Sequence, residues 1–284
     1  MTDSHTVARR AVLVTPASDD RKARKALEST AGEVVLDLED AVTAAHKDSA
    51  RAAAAVLAAE YGATRTVSIR VNGLATEWGR DDLAACRRVG DALSSVVVPK
   101  AETAAGLRDA DAALDGTGIR LQALVETPLG IENLREMCGA TDRLAALVLG
   151  YADLGAALGR SAAAAPAQWL AVQDRVLVSA RAHGVQAVDG PYLGIRDDAE
   201  FRTAKRWVAD LGFDGTWVIH PAQIDTATAV FTPSSEAVDD ATRVLAALAD
   251  AEAAGAGAAQ LDGKMLDEAV AVAARRTLAR AGAR

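Results

Sequence analysis

Ile-Arg-Leu-Gln-Ala-Leu-Val-Glu-Thr-Pro (119–128) and Leu-Ala-Ala-Leu-Val-Leu-Gly-Tyr-Ala-Asp (144–153) decide how this chain is read. Each is a short apolar run ending in one carboxylate, Glu126 or Asp153. Such a run flanked by Gly or Pro reads as a buried strand. Between the two, Ile131–Cys138 is long enough for a short crossover helix. A strand–helix–strand unit makes the strands parallel and brings both C-terminal ends to one side of the sheet. Glu126 and Asp153 are therefore expected side by side, at the end where α/β folds do chemistry. Two carboxylates there form an oxygen-rich site for a hard divalent cation, Mg²⁺ above all. Taken singly, either acid also reads as a cap of the helix that follows. Their matched placement shifts the reading toward a metal.

Working outward, strands are expected at Ala11–Thr15, Glu33–Leu38, Arg65–Val71 and Ser94–Val98 before the central pair, and at Val185–Val188 and Thr216–Ile219 after it. Helical segments alternate with them: one opening near Ser18 and Asp19, then Thr43–Tyr61, Asp81–Val89 and Thr103–Leu114. Asp153–Leu158 and Trp169–His183 follow, joined by the Ala-rich Ser161–Ala165, and then Asp198–Leu211. Eight strands alternating with helices are the count of an α/β fold of the (β/α)₈ TIM barrel type. An open doubly wound sheet is the alternative, but no Gly-rich dinucleotide loop follows the first strand.

After Phe231 the rhythm changes, so residues 1–231 read as the barrel and 232–284 as a C-terminal helical extension. Ser234–Ala253 is helical behind a Ser N-cap. Ala254–Ala259 reads as a flexible Gly/Ala hinge, followed by Leu261–Asp267 and a last helix through Ala281. A hinged segment carrying Lys264 and Asp267 reads either as a lid over a barrel mouth or as a solvated appendage.

The chain has 284 residues, half of them hydrophobic, and a formal net charge of −8. Lys and Arg are scattered without a basic tract, which argues against nucleic acid or an anionic membrane as main partner. Cys86 and Cys138 match no metal-ligand spacing and read as thiols in a reducing cytoplasm. The first ten residues lack the apolar core of a signal peptide, and no apolar run approaches the ~18 residues of a membrane span.

In a barrel the C-terminal face collects Asp37, Glu39, Asp40, Arg70, Asn72, Lys100, Glu102, Glu126, Asp153, Asp189 and His220. Arg70 ends an otherwise apolar strand. It reads either as part of a structural ion-pair network with Glu39 or Asp40 or as a planar fork for a substrate carboxylate or developing oxyanion. Lys100 is a poor Schiff-base lysine, because an acidic mouth keeps its amine charged. It reads as a phosphate or carboxylate contact, or as a surface residue. His220, before Pro221, reads as a structural histidine or helix N-cap.

Nine short motifs then occur in order: Leu-Asp-Leu-Glu-Asp-Ala-Val (36–42), Arg-Val-Asn-Gly (70–73), Val-Pro-Lys-Ala-Glu (98–102), Glu-Thr-Pro-Leu-Gly (126–130), Gly-x-x-Asp-Leu (150–154), Asp-Gly-Pro (189–191), Gly-Phe-Asp-Gly (212–215), Ile-His-Pro-x-Gln-Ile (219–224) and Asp-Gly-Lys-Met-x-Asp (262–267). On these the chain resembles the citrate lyase β-subunit-like branch of the HpcH/HpaI aldolase superfamily, which includes malyl-CoA and citramalyl-CoA lyases. The resemblance implies a (β/α)₈ barrel with a C-terminal extension, a homotrimer, and Mg²⁺ (Mn²⁺ as substitute) held by Glu126 and Asp153. It implies that Arg70 contacts the oxo acid or its polarised carbonyl and that Glu39 and Asp40 serve the outer metal shell. Asp267 would be the acid/base that the lid of a neighbouring subunit brings in. Ala152 stands where many relatives carry an acidic residue; with Arg70, Lys100 and Asp153 it is counted among the substrate contacts.

The expected reaction is a reversible, Mg²⁺-dependent cleavage of a 3-hydroxyacyl-CoA, such as malyl-CoA or citramalyl-CoA, into an acyl-CoA and a small 2-oxo acid. Three rivals stand beside it. One is a class II pyruvate aldolase, whose members typically carry Glu-His where this chain has Glu39-Asp40. Another is a citrate lyase β-subunit acting on an acyl carrier protein. The last is a non-catalytic scaffold barrel.

Overall fold

The computed structural model describes residues 7–161 and 164–282. Residues 1–6, read above as lacking a signal-peptide core, and residues 162–163 of the Ala-rich linker lie outside the described residues. Two compact units are present: Arg9–Ala229, and residues 230–282 together with Val7 and Ala8.

In the first unit eight parallel strands close on themselves in chain order: β1 (Ala11–Pro16), β2 (Glu33–Asp37), β3 (Val67–Arg70), β4 (Ser95–Val98), β5 (Arg120–Val125), β6 (Leu144–Leu149), β7 (Gln186–Asp189) and β8 (Gly215–Val218). The ring is completed by β1 against β8, with Val12 opposite Trp217. This is the (β/α)₈ TIM barrel, and the open sheet is excluded. The strands read as continuous apolar runs because both faces are covered, one by the barrel interior and one by helices. Val12, Val35, Val97, Leu124, Val148, Val188 and Trp217 fill the middle of the interior. Toward the N-terminal ends lies a polar layer: Glu33 accepts from Gln122 Nε2 at 2.6 Å and pairs with Arg9 Nε at 2.7 Å. Toward the C-terminal ends lie Asp37, Arg70 and Glu126.

Several boundaries differ from the sequence reading for local reasons. The crossover after β5 is not one helix over Ile131–Cys138 but two short ones, Pro128–Glu132 and Leu134–Cys138. Thr127 caps the first, its hydroxyl accepting from Gly130 N at 3.1 Å, with Pro128 at the first helical position. A Cβ on Gly130 would lie 2.4 Å from Ala101 O, so the turn closes tightly against the loop after β4. The helix after β6 is Tyr151–Ala157, which puts Asp153 inside its first turn rather than at its start.

The second unit holds the helix Ser235–Ala253, the hairpin β9 (Ala259–Leu261) and β10 (Lys264–Leu266), and the helix Glu268–Gly282. The flexible hinge expected over Ala254–Ala259 is corrected at its end, because Ala259 already pairs with Leu266. Asp262 and Gly263 form the two-residue turn with φ of 50° and 76°, the left-handed pair that Asp-Gly favours. Ala241, Val244, Leu266 and Ala274 make a small apolar core there. No helix of the described residues is long and apolar enough to cross a membrane.

Candidate active site

The mouth is built from the end of β2. Asp37 is fully buried, and its two oxygens accept Glu39 N at 2.9 Å and Ala41 N at 3.1 Å. The carboxylate thus winds the loop that presents Glu39 and Asp40. From beneath, the buried Lys47 donates to the carbonyls of Leu38 and Glu39, 2.7 Å each. Burial lowers the Lys47 pKa despite the nearby Asp37 and Glu39.

Arg70 stands opposite Asp37 in the β2–β3 register. Its Nε and Nη2 each lie 2.6 Å from one Asp37 oxygen, a bidentate pair. Nη1 is 2.9 Å from Glu39 Oε2 and 4.0 Å from Asp40 Oδ2. The expected ion pair with Glu39 is present, and Asp37, inside the barrel, joins it as the bidentate partner. Burial works to lower the Arg70 pKa, but the hydrogen bonds and charge of Asp37, with Glu39, raise it overall. Five N–H donors serve a guanidinium, so donors remain for a ligand. Trp217 lies below, its ring centroid 5.9 Å from the guanidinium carbon.

Glu126 directly follows β5 and is buried, with Oε1 accepting Lys100 N at 2.9 Å. Lys100 has a φ of 46°, a left-handed conformation rare outside Gly. Its ammonium lies 2.6 Å from Glu39 Oε1, 3.7 Å from Asp153 Oδ2, 3.9 Å from Asp40 Oδ2 and 4.0 Å from Glu126 Oε1. Glu126 and Asp153 thus flank a common point. Glu126 is no helix cap, since Thr127 takes that place. Gly150 makes room for it: a Cβ there would lie 2.7 Å from Glu126 Oε2.

Burial, with the charges of Glu39 and Asp153 adding, pushes the Glu126 carboxyl up to about 8. Burial also raises Glu39, against the pull of Arg70 and Lys100. Burial works against the Lys100 charge, yet Glu39 and Glu126 raise its pKa, so it holds an ammonium and not a Schiff-base amine. Five carboxylates therefore share two cations, Arg70 and Lys100.

Other strand-end residues serve the fold. Asp189 accepts from Tyr151 Oη at 2.5 Å and pairs with the buried Lys205 at 2.6 Å. Asn72 donates through its backbone and side chain to Asp82. His220 Nδ1 accepts Ala222 N at 3.2 Å, an N-cap. In the second unit Asp267 caps Glu268–Gly282, accepting Ala269 N at 3.0 Å and Val270 N at 3.2 Å. Ala152 lies on a cavity of about 990 Å³, lined also by Tyr151, Trp169, Asp189, Tyr192 and Lys205.

Sequence reasoning gave no role to Asp37 beyond its place at the face, and passed over Lys47, Gly150 and Trp217. A Gly immediately after an apolar strand, facing a carboxylate on its neighbour, was the available signal for Gly150.

Residues 10–221 match the family described as HpcH/HpaI aldolase/citrate lyase. The chain belongs to that family. A (3S)-malyl-CoA thioesterase of Cereibacter sphaeroides is 39% identical over 280 residues, covering 96% of this chain and 95% of the relative. An L-malyl-CoA/beta-methylmalyl-CoA lyase of the same species is 33% identical over 286 residues, covering 91% and 90%. Among solved structures, CitE of Mycobacterium tuberculosis in complex with magnesium, acetoacetate and coenzyme A is 32% identical, with a TM-score of 0.77 and coverage of 96% and 97%. The family relatives are thus enzymes of CoA-ester chemistry, lyases and thioesterases among them.

Proposed function

We propose that the protein is a Mg²⁺-dependent carbon–carbon lyase that reversibly cleaves a 3-hydroxyacyl-CoA of the malyl or citramalyl type into an acyl-CoA and a 2-oxo acid. One observation carries the reading: Glu126 and Asp153 flank a single cationic point on the same mouth as the Asp37-anchored Arg70.

The donor set fits the ion. Glu126 is buried, and its raised pKa marks a carboxylate that lacks a sufficient cation in the protein alone. Glu39 Oε2 is buried with the Arg70 guanidinium 2.9 Å away and makes no well-aligned hydrogen bond among the described residues, which leaves a lone pair for a metal-bound water. No three His, Cys, Asp or Glu are grouped for a metal among the described residues. A pair of carboxylates completed by water and substrate oxygens is the habit of Mg²⁺ rather than of a closed protein cage. Glu126 and Asp153 would hold the ion, which supplies Lewis-acid polarisation of the oxo-acid oxygen.

The chain's own residues do the rest. Asp37 fixes the Arg70 fork, whose remaining N–H groups bind the acid carboxylate or the oxygen that gains charge. In cleavage the 3-hydroxyl gives its proton to water at the mouth and becomes the oxo group. The C2–C3 bond breaks, and its electron pair passes to the acyl-CoA α-carbon. The resulting enolate takes a proton, for which Asp267 of a neighbouring copy in a homotrimer is our candidate donor. Lys100, Ala152 and Asp153 line the substrate side. Buried thiols at Cys86 and Cys138 suit a cytoplasmic setting.

A second reading is thioester hydrolysis, favoured by the higher identity to the thioesterase, 39% against 33%. One experiment tests both. Purified protein with Mg²⁺ is incubated with acetyl-CoA or propionyl-CoA and glyoxylate, pyruvate or oxaloacetate, and separately with malyl-CoA, and products are read by mass spectrometry. Condensation products and glyoxylate release support the lyase. Malate and free CoA, with no glyoxylate and no condensation, mean hydrolysis instead. Absence of any Mg²⁺-dependent product from these CoA esters overturns both readings, and citryl loaded on an acyl carrier protein becomes the next substrate to try.

A further inference from the structure

We propose that Lys100 is a built-in competitor for the divalent cation: its ammonium stands within reach of Glu126 and Asp153 and withdraws toward Glu39 and Asp40 when the metal enters. The inference rests on the metal reading above and adds a residue that sets how tightly the metal is held.

Three observations converge on it. The first is position. Lys100 Nζ lies 4.0 Å from Glu126 Oε1 and 3.7 Å from Asp153 Oδ2, within reach of both carboxylates and of the space a metal on them would use. An ammonium and a dication sharing that space repel. Two positive charges on the dication, roughly 6 Å from one on the ammonium, correspond to about a tenfold loss of affinity even with the dielectric of bulk water.

The second observation is freedom to move. The Lys100 side chain is 43% exposed, and its shortest contact, 2.6 Å, is to Glu39 on the far side of the mouth from Asp153 in chain order. Glu39 and Asp40 can therefore keep the ammonium while it leaves Glu126 and Asp153. A long flexible stem makes that swing inexpensive.

The third is the backbone. Lys100 holds a φ of 46°, a conformation that L-residues adopt at some cost. In that conformation its N–H donates to Glu126 Oε1 at 2.9 Å. The amide thus orients the same carboxylate that the ammonium screens. Strain retained at a lysine, where Gly would relieve it, points to a use for the side chain.

The consequence is cooperative loading. In the substrate-free protein the ammonium weakens metal binding. A 2-oxo acid offers the ammonium a new carboxylate and offers the metal two more oxygens, so each ligand strengthens the other.

Calorimetric titration of the full-length protein with MgCl₂, without substrate, tests this. The variants are Lys100→Met, which removes the charge, and Lys100→Gly, which removes the charge and suits the left-handed backbone. Glu126→Gln locates the site. Both Lys100 variants should bind Mg²⁺ about tenfold more tightly than wild type. Pyruvate should tighten Mg²⁺ binding more in wild type than in either variant. Equal or weaker Mg²⁺ affinity in folded Lys100→Gly overturns the proposal and leaves the metal reading intact. Wild-type Mg²⁺ binding that Glu126→Gln does not diminish overturns the metal reading, and the competitor with it.

Discussion

Gly150→Ala is the sharpest test of the site, because it adds one methyl group and nothing else. The new Cβ would lie 2.6 Å from Glu126 Cβ and 2.7 Å from Oε2, against 3.4 Å for an ordinary contact. The shortfalls are 0.8 and 0.7 Å, by subtraction. Glu126 Cβ is fixed to its backbone, so the strand ends must give locally, against the bond from Gly150 N to Val125 O at 2.9 Å and the registration of Val125 with Leu149. The backbone itself tolerates alanine, with φ −96° and ψ 98°. The Glu126 carboxylate must therefore move, pulling against its bond from Lys100 N. Overpacking of this kind costs about 1–3 kcal/mol, and the barrel survives it. A catalytic group displaced by more than ~0.5 Å leaves its productive geometry, and a misplacement near 1 Å costs on the order of 10²-fold in rate. We expect a folded protein with a melting point lower by about 2–10 °C, Mg²⁺ affinity reduced by roughly tenfold or more, and turnover reduced by about 10²-fold. Calorimetry, thermal melts and steady-state kinetics read these separately. Wild-type metal affinity and turnover in folded Gly150→Ala would refute the placement of the metal at Glu126.

Other predictions follow from the same geometry. The Glu126 pKa is raised from an ordinary 4.5 to about 8. The metal-free fold then binds the extra proton across that window, so its stability falls as pH rises from about 4.5 to about 8. Glu126→Gln should remove this contribution, read as a change in the pH dependence of urea midpoints. Mg²⁺ affinity should rise by up to tenfold per pH unit below about 8 and level off above it, with proton release on binding in calorimetry. Arg70→Lys should lose roughly 10²-fold or more in rate, because lysine keeps the charge but not the fork that grips Asp37; wild-type kinetics would make Arg70 a charge balance only. Asp37→Asn should destabilise the protein by about 3–5 kcal/mol, the effect of leaving a buried charge unpaired, and unchanged urea midpoints would contradict that role.

The barrel was legible because each strand is buried on both faces, which gives uninterrupted apolar runs such as Leu144–Leu149. The site acids were legible because each follows such a run. Pairing was not legible. Arg70 could meet Glu39, Asp40 or Asp37 by sequence alone, and the choice depends on a lateral register between β2 and β3 that apolar periodicity does not encode. The split crossover at Asn133 escaped notice because short helices leave too few turns to show a period. The hairpin at Asp262 and Gly263 was signalled by the Asp-Gly pair itself, but the Gly/Ala run before it dominated the reading. Gly150 was visible only as a residue type, since its use is an empty volume beside a side chain 24 residues earlier, by subtraction of the two positions.

The number and kind of partners separates acids that the sequence presents alike. Asp37 and Asp189 both end strands, are both buried, and each has a cation at 2.6 Å, Arg70 for one and Lys205 for the other. Asp189 further accepts from Tyr151 and lies 3.3 Å from Thr216 Oγ1. A buried charge so fully satisfied gains little from an added ion and loses much if its partner leaves. Glu126 is equally buried, but has one amide and a shared ammonium 4.0 Å away. Asp153 has the same ammonium at 3.7 Å and partial exposure to water. The deficit of positive charge is thus concentrated at the two acids that leave β5 and β6, and a cation from solution has most to gain there. Asp37 and Asp189, with Arg70 and Lys205 beside them, hold the walls on either side of that deficit, and neutralising them should cost stability before it touches metal affinity.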